Sequence, residues 1–263
     1  MNGALSVDWA VVIAGAVTGL LVGLTGVGGG ALMTPLLLLV FGVAPVTAVA
    51  TDLWFAALTK LAAVATHRVH TTIDWLVVRR LWLGSLPMAL AMAWLIGAGV
   101  QIGKLEWLSK AVGAMVCVAA LGLWFSPAVL QRLATAGRGV APWRWQAQAT
   151  VAAGALLGAV VALTSVGAGV LGSMLLLALY PRRLDAHRLV LADLVHATVL
   201  ALVAGLAYVT RGLVDWHLLS GLLLGALPAA VLGSLWARRL PARKLQMLLA
   251  AVLLSLGIKA MVG

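Results

Sequence analysis

The run Leu24-Thr25-Gly26-Val27-Gly28-Gly29-Gly30 breaks an apolar stretch that otherwise extends from residue 9 to residue 43. Glycine at this density cannot continue a regular helix without loss. An apolar stretch of this length has only lipid or protein interior to lie in. Broken backbone is tolerated there only where it is buried in protein or lines a cavity. The same interruption returns 139 residues later as Leu163-Thr164-Ser165-Val166-Gly167-Ala168-Gly169, between apolar runs at 147–163 and 170–180. Two broken apolar segments at matching places point to an internal duplication with broken helices at its centre.

Composition names the solvent. Of 263 residues 63% are hydrophobic and 10% charged, and mean hydropathy is +1.12. A soluble domain carries about 25% charged residues, so this chain is read as an all-α polytopic membrane protein. Ten apolar segments can be marked, near 9–24, 31–43, 46–66, 75–98, 107–125, 145–163, 170–180, 187–209, 216–237 and 245–262. A helix that crosses the hydrocarbon needs roughly 20 residues. The first, second and seventh segments fall short of that, and they flank the glycine runs. They are expected to be short helices that meet inside the membrane, as a re-entrant hairpin or a steep V. The first segment is read as retained, because no basic residue precedes it and no small-residue cleavage site follows.

The duplication extends past the glycines. Thr51-Asp52-Leu53 aligns with Ala192-Asp193-Leu194, Ile73-Asp74-Trp75 with Val214-Asp215-Trp216, and Leu83-Gly84-Ser85-Leu86-Pro87 with Leu224-Gly225-Ala226-Leu227-Pro228, all at an offset of 141. The chain therefore divides into an N-terminal repeat (1–125), a polar linker (126–144) and a C-terminal repeat (145–263). Five segments per copy place the copies in opposite orientations. Charge agrees: of 18 Lys and Arg, 13 fall in or beside alternate connections and 4 in or beside the others, with Lys60 deep inside a segment. The positive-inside rule then puts the basic connections, including the linker, in the cytoplasm and both termini outside, in a bacterial inner membrane.

The net charge of +11 sits in short loops and not on one periodic face. This matches lipid headgroups, and nucleic acid is not expected as a partner. A single cysteine, Cys117, gives no disulfide framework or metal cluster and is read as a small packing residue. Trp9, Trp75, Trp107, Trp143, Trp145 and Trp216 fall at segment ends, where an aromatic belt lies.

Four ionisable residues lie deep inside the apolar segments, away from their ends: Asp52, Lys60, Asp193 and His196. A charge at mid-membrane costs about 2.5–3.5 kcal/mol or more, so each needs a partner or a wet cavity. Asp52 and Asp193 are repeat equivalents, which inversion would bring towards a common axis. His196 follows Asp193 by three residues on nearly the same helical face, and Lys60 lies two turns after Asp52. In one reading Lys60 and His196 supply positive charge to an anion while Asp52 and Asp193 relay protons. In the other the aspartates cap their helices or pair with the cation on their own helix.

The glycine runs have their own anion chemistry. A helix N-terminus presents unpaired amides and about half a positive charge, and short helices begin directly after each run. Thr25, Gly26, Val27, Gly28, Gly29 and Gly30, with Thr164, Ser165, Val166, Gly167, Ala168 and Gly169, are the candidate substrate-binding positions. The alternative is close packing of small residues between helices. No Gly-Lys-Ser/Thr ending, catalytic triad or His-Glu-x-x-His array occurs. Neither enzymatic activity nor a metal or cofactor is expected.

The run from Gly23 to Gly30, followed by Pro35, Gly42, Ala48 and Thr51 and by glycine-rich segments before Pro87, resembles the TauE/SafE family of membrane proteins. The resemblance covers nearly the whole chain, although Ala168 and Met174 depart from the first-half pattern and Asp52 stands where many relatives have Ser. It implies a carrier of sulfur oxyanions such as sulfite or sulfoacetate. The expectation is a secondary transporter working by alternating access and coupled to protons or membrane potential. An anion channel and a membrane enzyme or assembly factor are the alternatives. Small anions and the bilayer are the expected partners, with a homodimer left open.

Overall fold

A computed structural model describes residues 8–25, 30–66, 73–97, 104–136, 145–180, 183–184, 186–236 and 242–262. These form ten α-helices: α1 (Trp9–Thr25), α2 (Gly30–Leu39), α3 (Pro45–Thr66), α4 (Trp75–Gly97), α5 (Lys104–Ala136), α6 (Gln146–Thr164), α7 (Val170–Leu179), α8 (Ala186–Val209), α9 (Trp216–Trp236) and α10 (Ala242–Val262). No strand occurs among the described residues. Among the described residues five spans have the length and apolar composition to cross a membrane: Trp75–Ile96, Trp107–Phe125, Gln146–Thr164, Arg188–Val209 and Trp216–Trp236. α2 and α7 have 10 residues each. At about 1.5 Å per residue each covers roughly half of the hydrocarbon.

Two boundaries differ from the sequence expectation. α5 continues to Ala136, through the first part of the stretch read as a polar linker. A helix satisfies its own backbone, so it can run on past the end of an apolar stretch. α2 ends at Leu39 and not at residue 43. Gly42 takes a positive φ of 62°, and the Val43 amide returns to the Leu37 carbonyl at 3.0 Å, a glycine-dependent helix ending.

The two halves are interleaved. α1 packs along α9, α4 along α6, α3 against α8, and α5 against α10. Under the sequence repeat, α1 corresponds to α6 and α4 to α9, so the first two pairings are one contact made twice. Both are backbone-to-backbone. A Cβ placed on Gly15, Gly19 or Gly23 would overlap the carbonyls of Leu222, Ala226 and Ala230. In the partner pair, a Cβ on Gly154 or Gly158 would overlap those of Leu81 and Ser85. Lipid gives apolar helices little hydrophobic reason to associate, so close approach over small residues supplies the contact. Between α5 and α10, Cys117 Sγ packs against Gly257, the small-residue role expected of it.

Met33, Leu37, Phe55, Leu200 and Leu222 belong to the larger core, around α3 and α8. A second cluster joins Val77, Leu81, Leu176, Tyr180 and Leu189. Ile13, Leu83, Leu156, Leu224 and Leu235 are exposed, as lipid-facing side chains should be. Trp9, Trp75, Trp107, Trp145 and Trp216 are exposed at or near helix starts; Trp143 lies outside the described residues.

The end of the molecule near the second cluster is tied by polar contacts. Arg80 Nη1 donates to Tyr180 Oη at 3.1 Å, and that hydroxyl lies 2.8 Å from Thr150 Oγ1. Arg183 reaches across the repeats, its Nε and Nη2 donating to Asp74 at 2.5 and 3.1 Å. Partial burial alone would raise the Asp74 pKa, but the Arg183 hydrogen bonds and charge outweigh it and hold it below its ordinary value. A depressed carboxyl stabilises the fold above its unfolded pKa. That contribution is lost as pH falls from about 4 through the lower folded value. Arg183 is half exposed, so the pair is worth at most about 1 kcal/mol. Arg183→Ala should therefore lower detergent-state thermal stability slightly at pH 7 in low salt, and the difference from wild type should shrink as pH falls below about 4.

Candidate functional site

The four ionisable residues singled out in the apolar segments are all buried, Asp52 and His196 at 0% exposure, Lys60 at 6% and Asp193 at 7%. α3 carries Asp52 and Lys60, and α8 carries Asp193 and His196, so the packing of these two helices assembles the group. Each aspartate lies about two turns inside its helix, and neither caps it. Capping falls to Asp74 and Asp215 instead, which accept from the amides of Val77 (3.4 Å) and Leu218 (2.9 Å).

Each buried carboxyl takes one hydroxyl from a short helix. Thr34 Oγ1 of α2 donates to Asp52 Oδ2, and Ser173 Oγ of α7 donates to Asp193 Oδ2 at 3.3 Å. Thr34 and Ser173 are 139 residues apart, so they are repeat equivalents. Oδ1 of Asp52 and Oδ1 of Asp193 are buried without a hydrogen-bond partner. Gly172 lies against Asp193 Oδ1, where a Cβ would collide with it.

Lys60 breaks the symmetry, since its equivalent is Ala201. Its ammonium lies within electrostatic reach of both Asp52 and Asp193, and it closes an ion pair with neither among the described residues. The reach of Lys60 thus extends beyond the own-helix aspartate considered from the sequence to one on α8. His196 Nε2 lies 3.0 Å from Ser85 Oγ of α4, while Nδ1 is buried without a partner. An imidazolium there would bury a charged N–H with no acceptor, which is costly. The neutral ring fits, so positive charge at this site comes from Lys60.

The second glycine break joins the same group. α6 ends on Ser165 in left-handed backbone, φ 57° and ψ 2°; a residue with a side chain gives up about 1–2 kcal/mol there. Its hydroxyl faces Asp52 without an aligned hydrogen bond. Gly167 follows at φ 109°. Thr164, by contrast, is committed to its own backbone, donating to Val160 O at 2.7 Å and accepting from the Val166 amide at 3.2 Å. The amides of Leu171, Gly172 and Ser173 are taken by the carbonyls of Gly167 and Gly169. Those of Gly167, Ala168, Gly169 and Val170 precede this ladder and form the donor end of α7. In the first half, Gly26, Val27, Gly28 and Gly29 and the side chain of Thr25 lie outside the described residues, and α2 begins at Gly30.

The site is therefore a buried group of two carboxyls, two short-helix hydroxyls and one ammonium, beside a broken helix. Residues 11–260 match the family described as Sulfite exporter TauE/SafE. The chain belongs to the TauE/SafE family. It is also similar to the probable membrane transporter protein YjnA of Bacillus subtilis (strain 168), 35% identical over 259 residues, which are 95% of this chain and 98% of that protein. No solved structure matches it. Family and relative are both named for transport across membranes, not for an enzymatic reaction.

In this TauE/SafE chain three residues that sequence reasoning passed over touch the buried group: Thr34, Ser173 and Ser85. The first two carried a usable signal, a hydroxyl at matching positions in both short helices. Ser85 did not, because its repeat equivalent is Ala226 and that of His196 is Phe55.

Proposed function

We propose that this protein is a secondary transporter that moves a sulfur-containing oxyanion (sulfite, sulfoacetate or a related organosulfonate) across the inner membrane, in the direction of export. Its repeats, 1–125 and 145–263, are inverted in the membrane, with the 126–144 connection in the cytoplasm and both termini outside. Support comes from the odd number of helices per repeat, the loop-charge bias, and the α1–α9 contact that recurs as α4–α6. α2 and α7 act as half-membrane helices that deliver Thr34, Ser173 and the glycine breaks to the midplane, the usual place for a carrier's site. Alternating access moves the α1–α9 and α4–α6 pairs against the α3–α8 centre. Protons or the membrane potential drive transport.

One observation carries this reading: a single buried ammonium, Lys60, shares the α3–α8 crossing with polar atoms that have no partner in the protein. Unpartnered buried polar atoms are expensive and call for a ligand or water. An oxyanion satisfies Lys60, the Ser165 hydroxyl and the α7 amides together.

The test is counterflow of labelled sulfite in proteoliposomes. Saturable counterflow distinguishes a carrier from a channel. Gly167→Leu forces a side chain into φ 109° and against Leu171; flux should fall at least tenfold, about 1.4 kcal/mol or more in the limiting step. Unchanged flux in that variant would take the glycine break out of the site.

A further inference from the structure

Resting on the transport reading, we propose that Asp52, Lys60 and Asp193 make the site selective for monovalent oxyanions and load each anion together with one proton.

The charge inventory around Lys60 is small. Its own helix supplies Asp52, and α8 supplies Asp193 and His196. α2, α7 and the α6–α7 break contribute the hydroxyls of Thr34, Ser173 and Ser165, and α4 contributes Ser85. Arg80 of α4 is bonded to Tyr180, Cys117 of α5 packs on α10, and His217 of α9 is exposed at the helix start. No other charged side chain is buried among the described residues.

A buried site tolerates little net charge. With no substrate, the Lys60 ammonium is balanced by one carboxylate, and the other carboxyl carries a proton. Either aspartate can be the ionised one, because each has one hydroxyl partner and one bare oxygen. An anion that enters to pair with Lys60 displaces that carboxylate, which would become an uncompensated buried charge. Taking a proton from the water at the same face removes it: one O–H bond forms on an Oδ1, and no bond in the anion breaks. The loaded site then holds the ammonium, one negative charge on the substrate, and two neutral carboxylic acids able to donate to its oxygens.

A dianion would require one more positive charge. Both carboxyls are already protonated, and the remaining candidate is His196. Its Nε2 is engaged by Ser85, and its Nδ1 has no acceptor for a second proton. This narrows the substrates named above: hydrogensulfite and simple sulfonates are accepted, while sulfate and sulfoacetate in its doubly charged form are rejected. Loading is electroneutral, so anion and proton move together down their combined gradient, outward where the anion accumulates inside, and a membrane potential does not drive them.

The probe is methanesulfonate, which stays a monoanion across the working pH range, presented to wild-type protein in proteoliposomes holding a pH-sensitive dye. Expected results are one proton entering per anion, acceleration by an inward proton gradient, a less than twofold response to a potassium–valinomycin potential, and no competition from sulfate. Asp52→Asn combined with Asp193→Asn keeps the shape of both side chains and the Lys60 charge. That variant should lose the proton entry and the pH dependence, and the flux left to it should be potential-driven; proton entry that persists in it overturns the coupling. Proton-free, potential-driven flux in wild type overturns the coupling, and equal competition by sulfate overturns the selectivity. Both results leave the carrier reading standing. Absence of counterflow for every sulfur oxyanion, with folded protein, overturns the carrier reading and the coupling together.

Discussion

Lys60→Gln is expected to abolish net sulfite or sulfonate flux while leaving a folded protein. Lys60 is the sole buried cation among the described residues. An anion without it would sit beside two carboxyls in a low-dielectric interior. Losing the compensating charge costs about 2.5–3.5 kcal/mol, which lowers occupancy roughly a hundredfold at about 1.4 kcal/mol per decade. Lys60→Arg should recover part of the flux, since the charge is kept but the guanidinium is larger and holds its donors in a rigid fork. Initial rates at matched protein amounts, with thermal melting in detergent as the folding control, provide the readout. A Gln variant as active as wild type would show that the anion binds elsewhere.

Gly19→Leu and Gly158→Leu should damage folding to a similar extent. They are repeat equivalents, pressed against the carbonyls of Ala226 and Ser85, and a side chain at either must push two helix backbones apart. Overpacking costs about 1–3 kcal/mol where side chains can adjust, and backbone cannot adjust as they do, so the upper end or beyond is expected. Both variants should melt well below wild type or fail to accumulate as monodisperse protein. Val17→Leu is the control, because Val17 is on the same helix and half exposed to lipid. Normal stability in only one of the glycine variants would mean that the two helix pairs are not equivalent in their contribution.

Much of the architecture was legible because lipid leaves a chain few choices. Apolar runs had to become helices, and the glycine runs had to interrupt them; the boundaries of α3, α4, α6 and α8 fall within a residue or so of the apolar segments. The end of α5 was harder to read, since polarity reports departure from the bilayer and not the end of a helix. Asp52, Asp193, Lys60 and His196 stood out as the ionisable residues inside apolar runs, and the structure brings all four to one crossing. Their partnerships were not legible. Spacing along α3 pointed Lys60 at Asp52, whereas the α3–α8 contact also brings Asp193 within its electrostatic reach. His196 looked like a charge donor until its ring was seen against Ser85. The pairing of α1 with α9 and of α4 with α6 places residues about 200 and 70 positions apart in contact, and no local pattern encodes that. Glycine at positions 19 and 158 serves this packing, while Gly167 shapes the broken helix; the same residue type does two different jobs that sequence alone does not separate.

Selenite carries selenium in the place of sulfur, so its position in the protein can be located by anomalous scattering. In crystals grown with selenite, the selenium peak is expected at the α3–α8 crossing, within contact of Lys60 and the Ser165 hydroxyl and beside the start of α7. A peak at a membrane face, with the Lys60 site empty at saturating selenite, would contradict the assignment of this crossing as the transport site.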